Sequence, residues 1–371
     1  MNITWFSWKD IGHPKAGGAE TVSWQVMRRL VRDGHNVKLV TARYKGSDTS
    51  SLVEGVEILR TGNGFTVYFK VFLLFRRRLA KWSDLNIDEM NTIPFFVGYY
   101  SRKKRILLTY QLARQVWLYQ MRPPLSWIGY AVEPLYLLLL SLRYKTVLTE
   151  SQSTRSDLAR FGFAQTNTHV FRIGTGLRPA KQLEPKRNMK HLLILGAMRA
   201  MKQTLDAVMA FEQARDASPS LYLTIAGDNS GKYAQTVLDY IAGSRHKDAI
   251  HVVGKVSDEV RIGLMREAAL ILVTSIKEGW GLIVTEANSQ GTPAIAYDCD
   301  GIRDSVVDCQ TGLLVNSGDY KALSRSITEI LSNQSRYDSL RNTAWSNSKQ
   351  YTFENSYSDF IKAGSIEKLT T

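Results

Sequence analysis

The stretch that decides the fold is Lys277-Glu-Gly-Trp-Gly-Leu-Ile-Val-Thr-Glu286-Ala-Asn-Ser-Gln-Gly291-Thr-Pro293. The apolar run Ala269–Thr274 comes before it and predicts a buried parallel strand. A helix is predicted from Leu282 until the glycine and proline that close the stretch. Glycines between a strand and a helix permit a sharp turn and a close backbone approach to a ligand. Because a helix N-terminus favours a phosphate, the stretch predicts an α/β unit with an anion-binding turn.

Two carboxylates stand eight positions apart in this stretch, Glu278 in the turn and Glu286 inside the helix. They can accept hydrogen bonds from two hydroxyl-bearing parts of one ligand, as a sugar joined to a ribose through phosphates requires. Two carboxylates near a sugar can also be the acid and nucleophile of a hydrolase. One lies in a glycine turn and the other on a phosphate-facing helix, and this setting favours a role in holding the ligand over a hydrolase role. On spacing alone, two Glu residues on a solvated helix surface are the favoured interpretation.

Length and composition indicate a globular chain with two domains. The 371 residues exceed a typical single domain, and the hydrophobic content of 44% excludes disorder. The start, Met1–Trp8, lacks the charged region and long apolar core of a signal peptide and predicts a first strand instead. The two cysteines, Cys299 and Cys309, are too few for a disulfide framework or a metal site. A reduced cytoplasm is the expected location.

Positive charge is concentrated in the first half of the chain. Residues 1–180 contain 26 Lys and Arg against 12 Asp and Glu, and residues 181–371 contain 22 of each, so the whole net charge of +14 belongs to the first half. Such a one-sided surplus suggests an anionic partner, such as a membrane face or a polyanion. Nucleic acid is not expected, because no nucleic-acid-binding motif accompanies the charge.

Predicted strands and helices alternate in two series, separated by the polar, proline-containing segment 178–190. This βαβα rhythm predicts two parallel, doubly wound sheets, which bind ligands at the carboxyl ends of their strands. The predicted strands are 3–8, 36–41, 56–60, 106–110, 146–150, 191–196, 221–226, 249–253, 270–274 and 293–297. The further predicted helices are 20–33, 66–81, 134–144 and 154–161.

The Glu pair, the Glu-Gly-Trp-Gly turn, the strand before it and the Gly-Thr-Pro after it resemble the E-x7-E signature of the family 4 glycosyltransferases. These are retaining enzymes with the GT-B fold, two Rossmann-like lobes with a cleft between them. The resemblance implies that Glu278 faces the donor sugar and Glu286 binds the nucleotide ribose. It also implies that the donor contacts the turn residues Gly279, Trp280, Gly281 and Leu282.

The resemblance also implies the domain boundaries. Residues 1–177 would form a basic, acceptor-side lobe, and 178–190 a linker. Residues 191–349 would form the nucleotide-sugar-binding lobe. The last segment, 350–371, resembles the closing helix that returns to the first lobe in the family.

The run Leu195–Lys202 ends the first strand of the second series and resembles the family's G-R-L-x-x-x-K turn, whose basic pair grips the donor phosphates. Lys202 follows Gly196 by six residues, as in the family. Ala197 occupies the position of the family Arg, and Arg199 comes two residues later. A metal-free transferase must stabilise charge growing on the departing diphosphate with fixed cations. The resemblance implies that catalytic role for Lys202 and Arg199 beside Glu278; solvation is the alternative.

Three more turns have counterparts in the family. Gly17 and Gly18 open the first helix and resemble its G-G-x-E loop against the donor phosphates, with His13 a candidate contact on the acceptor side. Gly227 matches the family's G-D-G turn. Asp304 occupies the position of the Glu in the family's G-G-x-x-E loop near the donor. These residues complete the expected donor site.

A His that many family members carry near the reactive face of the sugar has no counterpart here. The corresponding run, Leu108–Arg114, contains Tyr110 and Gln111 instead. Either can donate a hydrogen bond to a sugar hydroxyl, but neither readily acts as a base. The departure fits a front-face retaining reaction in which the leaving phosphate takes the acceptor proton.

No metal or other cofactor is expected. Asp298-Cys-Asp300 matches the D-x-D pattern of metal-dependent transferases, but its position in the second lobe is wrong for that site.

Two apolar segments raise the question of a membrane. Segment 65–82 places four Phe residues at helical spacing before a basic end, and 102–105 adds Arg-Lys-Lys-Arg. An interfacial membrane helix and an ordinary sheet-covering helix both fit it. The run Leu125–Leu142 is interrupted by Glu133 and Pro134, so it does not predict a membrane span. Its second half, from Pro134, predicts a core helix.

The resemblance implies a metal-independent, hexosyltransferase-type enzyme that moves a sugar from a nucleotide diphosphosugar to a glycan or lipid-linked acceptor. Polysaccharide or glycolipid assembly at the inner membrane face is the expected setting. Two alternatives stay open: a nucleotide-sugar epimerase or hydrolase on the same fold, and a degenerate protein that only binds a glycan or partner. The missing His and the displaced Arg support the second alternative, whereas the Glu pair and Lys202 oppose it.

Overall fold

A computed structural model describes residues 1–186 and 188–367 of the chain. The chain divides into two compact units, one formed by Met1–Gly174 with Thr352–Thr371 and the other by Thr175–Tyr351. Arg187 of the expected linker and residues 368–371 of the expected closing segment lie outside the described residues.

The first unit contains an eight-stranded sheet. Its strands are β1 (Asn2–Phe6), β2 (Asn36–Thr41), β3 (Ser50–Val53), β4 (Val56–Arg60), β5 (Leu85–Met90), β6 (Lys104–Thr109), β7 (Val147–Thr149) and β8 (Thr168–Val170). The spatial order is β3-β4-β2-β1-β5-β6-β7-β8, and only the β3–β4 pair is antiparallel. Its helices are α1 (Gly18–Arg32), α2 (Val67–Leu74), which a π-helical turn (Phe75–Leu79) continues, α3 (Val97–Tyr100), α4 (Val116–Gln120), α5 (Leu125–Ser141) and α6 (Gln152–Arg160).

The second unit contains a six-stranded, fully parallel sheet. Its strands are β9 (His191–Leu195), β10 (Tyr222–Ala226), β11 (Ile250–Gly254), β12 (Leu270–Val273), β13 (Ala294–Asp298) and β14 (Gly312–Asn316), in the order β11-β10-β9-β12-β13-β14. Its helices are α7 (Thr204–Ala217), α8 (Lys232–Gly243), α9 (Asp258–Glu267), α10 (Leu282–Ser289), α11 (Ile302–Ser305), α12 (Tyr320–Ser332) and α13 (Gln334–Ser348). The prediction of two doubly wound α/β sheets is confirmed.

The closing helix α14 (Phe353–Ala363) packs against the first unit. Its Phe360 ring stacks on Trp5 of β1 with ring centroids 5.5 Å apart. The Tyr357 hydroxyl donates to Asp33 just after α1 at 2.8 Å. An aromatic contact and a hydrogen bond to an acidic group therefore attach α14 to β1 and to the end of α1.

The central strand β5 was missed because its sequence, Leu-Asn-Ile-Asp-Glu-Met, is polar at three of its six positions, yet all six residues are buried. The Asp88 carboxylate accepts hydrogen bonds from the backbone N–H groups of Phe95 (2.9 Å) and Val97 (3.0 Å) and from the Tyr144 hydroxyl (2.6 Å). Burial nevertheless raises the pKa of Asp88. Because hydrogen bonds from outside the strand allow polar residues to be buried here, periodicity could not reveal the strand.

Segment 65–82 covers the sheet with one face and exposes the other. Val67, Val71 and Phe75 are buried, whereas Phe65 and Phe69 are 89% and 66% exposed. The sheet-covering role is therefore observed, and a membrane role of the exposed face stays a proposal.

The prediction of a core helix over 134–144 was partly wrong. Helix α5 begins at Leu125 and continues through Pro134, so the proline lies inside it. Tyr136, Leu137 and Leu140 are buried, but Leu135 is 62% exposed. Within the described residues, no helix combines the length and apolar character needed to cross a bilayer.

Candidate functional site

The strand–turn–helix unit forms as the sequence predicts, with β12 leading through residues 274–281 into α10. Gly281 caps the helix with a φ of +86°. A Cβ there would lie 2.6 Å from Ile302 Cδ1 and 3.1 Å from Ser305 Oγ, so both conformation and space require glycine. The first N–H groups of α10 have no partner within the helix, which makes this turn suited to an anion.

The Glu278 carboxylate contacts the ammonium of Lys202 in an ion pair. Its Oε1 atom also accepts a 2.6 Å hydrogen bond from the Ser275 hydroxyl. The side chains are 19% exposed for Glu278 and 36% for Lys202, so both groups reach solvent while they hold each other. The structure thus brings together two of the three residues expected to be catalytic.

The turn that carries Lys202 is fixed by β12 and the residues after it. The Thr274 hydroxyl donates to the carbonyls of Lys202 (2.8 Å) and Gln203 (2.9 Å), and the Ile276 N–H donates to the Met201 carbonyl (2.9 Å). Gln203 then has a φ of +44°, which ends the turn and starts α7. These bonds hold the ammonium-bearing turn beside the loop of Glu278.

Lys202 also lines a pocket at the carboxyl ends of β9 and β12. The pocket is shared with Gly196, Ala197, Ser275 and Ile283 of α10. Ligands bind at this edge of parallel sheets. Ile283 belongs to α10, whose N-terminus is suited to binding an anion. A cation and a helix N-terminus therefore converge on one pocket.

Glu286 lies on α10 and forms an ion pair with Arg261 of α9. Its side chain is only 14% exposed. Burial raises the pKa of the Glu286 carboxyl, and the adjoining Arg261 guanidinium lowers it. Arg261 is also bonded to Asp258 at 3.0 Å, so a half-buried guanidinium bridges two carboxylates.

Trp280 supports the donor turn from inside. Its indole N–H donates to the Thr285 hydroxyl at 2.9 Å, and its ring centroid lies 5.1 Å from that of Tyr351. The side chain is 7% exposed. At Trp280 and Gly279, a ligand would therefore contact the backbone of the turn and not a side chain.

Gly227 sits where two strand ends approach each other. A Cβ on Gly227 would overlap the Gly196 carbonyl, and its φ is +144°. The Gly196 N–H donates to the Ala226 carbonyl (2.9 Å) and the Met198 N–H to the Asp228 carbonyl (2.7 Å). The glycine thereby fixes the start of the turn that carries Arg199 and Lys202.

Arg199 and Asp304 occupy different settings. Arg199 is exposed, and within the described residues its guanidinium has no acidic partner. Asp304 is half-buried on α11, the helix that contacts α10. In the described part of the chain, neither a hydrogen bond nor an ion pair joins Arg199 to the Glu278 carboxylate.

The two Asp residues of the D-x-D pattern are both held by Arg303. The guanidinium contacts Asp298 at 2.8 Å and Asp300 at 2.7 Å, and Lys277 lies 3.3 Å from Asp300. Cations thus balance both carboxylates. Among residues 1–186 and 188–367, no three His, Cys, Asp or Glu side chains form a group suited to a metal.

The glycine loop of the first unit is fixed at both ends by charged groups. The Gly17 N–H donates to Glu20 at 2.7 Å, and Lys9 forms an ion pair with the same carboxylate at 2.9 Å. At the other end, buried Asp10 pairs with Arg60 at 2.6 Å. Gly17 and Gly18 are themselves exposed at the start of α1.

His13 is packed within the same loop. Its ring centroid lies 5.1 Å from that of Tyr44, and its Nδ1 accepts the Lys15 N–H at 3.0 Å. Burial, followed by the Lys9 charge, lowers the pKa of His13. Because Nδ1 of the neutral ring is already hydrogen-bonded, Nε2 is the nitrogen that can bind a ligand.

Tyr110 and Gln111 follow β6 but point to different surroundings. The buried Tyr110 hydroxyl is hydrogen-bonded to Ser23 at 2.6 Å, and Ser23 donates to Glu89 at 2.8 Å. Burial raises the pKa of Tyr110. The Gln111 Oε1 atom is buried and has no hydrogen-bond partner within the described residues. Of the two side chains, that of Gln111 is the one with a polar atom left without a hydrogen bond within the described residues.

Three polar residues of these sites were not predicted from the sequence. Arg261 and Ser275 touch the two Glu residues of the signature, and Glu133 holds the loop after Gln111. Arg261 is 25 residues from Glu286, so nothing in the local pattern linked them. Glu133 had a visible signal, since it is a lone charge in an apolar run.

Two family models match the chain in succession. "Glycosyltransferase Family 4" matches residues 16–176, and "Glycosyl transferases group 1" matches residues 179–347. Among curated proteins, the chain is similar to glycogen synthase of Mycobacterium tuberculosis, with 26% identity over 189 residues. That match covers 50% of this chain and 45% of the relative, so the chain spans less than half of that protein's length.

Solved structures resemble the whole chain. Sucrose-phosphate synthase from Thermosynechococcus elongatus has a TM-score of 0.77 and 18% identity, covering 97% of both chains. Anabaena HepE, solved in complex with UDP and glucose, has a TM-score of 0.75 and 15% identity, covering 98% of this chain and 99% of that one. At such identities the likeness shows the fold alone, and it confirms the expected GT-B architecture.

Proposed function

Because the chain belongs to the family 4 glycosyltransferases, we propose that it moves a sugar from a nucleotide diphosphosugar to a hydroxyl of a glycan or lipid-linked acceptor. The observation that carries the proposal is the contact between Lys202 and Glu278 beside the N-terminus of α10. A cation, a carboxylate and free N–H groups lie together there, which are the groups that a sugar diphosphate needs.

Donor binding would rearrange this ion pair. The diphosphate is the stronger anion, so the Lys202 ammonium would turn from Glu278 to a phosphate oxygen. Glu278, still held by Ser275, would then accept a hydrogen bond from a sugar hydroxyl. Exposed Arg199 lies three residues away in the chain and would add a second cation.

Glu286 would accept hydrogen bonds from the ribose hydroxyls. The adjoining Arg261 guanidinium favours the ionised form of Glu286 and so offsets part of the effect of burial, which on balance raises the pKa of that carboxyl. Support for a nucleotide ligand comes from HepE, which was solved with UDP-glucose. Leu282, Gly227 and Asp304 belong to the same donor proposal.

The proposed reaction is metal-independent and retaining. Negative charge developing on the leaving diphosphate would be stabilised by Lys202, Arg199 and the N–H groups of α10. The leaving phosphate itself would take the acceptor proton, since no base stands in the position of the family His. Gly17 and Gly18 are proposed donor contacts, and Gln111 and His13 proposed acceptor-side contacts.

The proposed setting is polysaccharide or glycolipid assembly at the inner face of a bacterial-type plasma membrane. Similarity to glycogen synthase supports a glycan-building role. The exposed Phe65 and Phe69 and the basic segments 76–78 and 102–105 support an anionic neighbour. Tyr110 stays a proposed acceptor-side residue, although its hydroxyl is already hydrogen-bonded to Ser23.

A panel of nucleotide sugars tests the proposal by nucleotide release with and without glycan and lipid-linked acceptors. Transfer that needs an acceptor and is lost in Glu278→Gln and Lys202→Ala supports it. Donor turnover without any acceptor product would identify an epimerase or hydrolase instead. A chain that binds no nucleoside diphosphate would be a non-catalytic binding protein.

A further inference from the structure

Helix α5 presents an apolar face to solvent. Within the described residues, twelve of the twenty-two exposed large apolar side chains lie between positions 118 and 142. On α5 and its C-cap, six of them recur every three or four residues and form one stripe along the helix. The members of this α5 stripe are Leu125, Ile128, Val132, Leu135, Leu139 and Leu142, whose exposed fractions range from 45% to 73%.

Helix α5 lacks the charged outer face of an ordinary surface helix. Its one charged residue, Glu133, faces inward and is 1% exposed, and Ser126 is likewise buried. An ordinary surface helix buries its apolar residues and exposes its charged ones. Contiguous exposed apolar patches of this kind mark binding surfaces.

Arginines border the α5 stripe. The Arg143 guanidinium lies 4.9 Å from the ring centroid of Tyr99, whose hydroxyl donates to the Leu139 carbonyl at 2.7 Å. Arg105 donates to the Arg143 carbonyl at 2.9 Å. Arg114 lies 4.2 Å over the ring of Tyr130 on α5 itself. The apolar face is therefore edged by cations, in the half of the chain that carries the whole net charge of +14.

We propose that the α5 stripe and its bordering arginines dock the first unit onto an anionic phospholipid bilayer. Apolar stripes with Trp or Tyr and a basic edge bind at the level of the lipid headgroups. Trp127, 63% exposed, and Tyr130 supply the aromatic groups. The 17-residue helix is about 26 Å long, shorter than a bilayer core of about 30 Å, so it lies in the interface.

Charge favours lipid over a second copy of the chain. A symmetric dimer through the α5 stripe would place the same basic border on both sides of the contact. Like charges would then oppose each other at the rim, whereas anionic headgroups complement them.

Docking would also fix the loop that follows Gln111. Glu133 accepts hydrogen bonds from the N–H groups of Ala113 (2.8 Å) and Arg114 (2.6 Å) and from the Trp117 indole (3.0 Å). The lipid-facing helix and the proposed acceptor-side loop therefore move as one piece. This consequence rests on the proposed function; vesicle binding itself is measured without donor or acceptor and is independent of it.

Vesicle flotation of the full chain tests the docking surface. We expect binding to vesicles of phosphatidylcholine and phosphatidylglycerol, weakened by salt and much lower with phosphatidylcholine alone. The variant Leu135→Ser/Leu139→Ser/Leu142→Ser should bind at least about tenfold more weakly, because three exposed leucines of the stripe lose their transfer into lipid. The matched control Leu52→Ser, at a side chain 73% exposed elsewhere, should bind like the wild type.

Fluorescence supplies a second readout that a folding defect does not imitate. Trp127 should shift to shorter wavelength and be quenched by lipid-borne bromine, and Trp127→Phe should remove that quenched component. Binding that survives in the triple variant, or no binding of the wild type to anionic vesicles, would overturn the proposal. Concentration-dependent dimerisation that the triple variant abolishes, without vesicle binding, would assign the face to a second copy and likewise overturn it.

Discussion

Replacing Glu133 by Ala should loosen the loop between Gln111 and α4. The carboxylate is buried and receives three donors, the N–H groups of Ala113 and Arg114 and the Trp117 indole, at 2.8, 2.6 and 3.0 Å. Arg114 adds a longer ionic contact of 3.8 Å. Without the carboxylate, the three donors lose their acceptor in a place that Trp117 shields from water.

The size of the effect follows from these bonds. Each buried donor left without a partner costs about 1–3 kcal/mol, so three would cost about 3–9 kcal/mol. Removing a buried carboxylate recovers part of this, because burial raises the pKa of Glu133 and so disfavours its charged form. We therefore expect a net local destabilisation of about 3 kcal/mol, and roughly half of that for Glu133→Gln, which keeps one acceptor oxygen.

Hydrogen exchange is the suitable assay, because the two units can unfold in separate steps and blur a single midpoint. Exchange of the Ala113 and Arg114 amides should accelerate by about a hundredfold in Glu133→Ala, since 1.4 kcal/mol is a factor of ten. Strand β12 of the second unit should be unchanged. Unaltered exchange at residues 113–117 would refute the role given to Glu133, and Glu259→Ala, at an exposed site on α9, is the matched control.

Three other perturbations have defined outcomes. Burial raises the pKa of Glu89 to about 7 from 4.5, so the native state keeps a proton that the unfolded chain releases. This group's contribution to stability is fully present below pH 4.5 and falls by up to about 3 kcal/mol as pH rises through 7. Urea unfolding of Glu89→Gln should lack this slope, and an unchanged slope would contradict it. Gly227→Ala should unfold at a lower urea concentration and bind nucleotide more weakly, whereas Gly243→Ala, where a Cβ meets nothing within 4 Å, should do neither. Arg261→Ala should raise the pKa of Glu286, so calorimetry should find nucleotide binding weakened most at low pH; equal weakening at all pH values would argue against a carboxylate acceptor.

The second sheet and its turn were predictable because local rules dominate there. A run such as Leu270–Val273, followed by glycines and a helix stop, has the same meaning in most α/β chains. Lys202 and Glu278 were predictable as individual residues from their motifs. Their direct contact was not, because it joins positions 76 residues apart.

Elements that depend on distant partners escaped prediction. Strand β5 contains Asp88 and Glu89, whose acceptors are filled by donors on other elements. Helix α5 is apolar on both sides, so periodicity could not separate its buried face from its exposed one. Glu133 looked like an interruption of an apolar run, whereas it is the group that ties α5 to the loop after Gln111.

Calorimetry of nucleoside diphosphate binding tests the donor site most directly. We expect at least one of UDP, GDP and ADP to bind the wild type, and Lys202→Ala and Glu286→Ala each to weaken that binding by about tenfold or more, as expected for lost hydrogen bonds to charged groups. Lys321→Ala and Glu259→Ala, at exposed positions on α12 and α9, should leave it unchanged. Equal affinity in all four variants and the wild type would contradict the donor site.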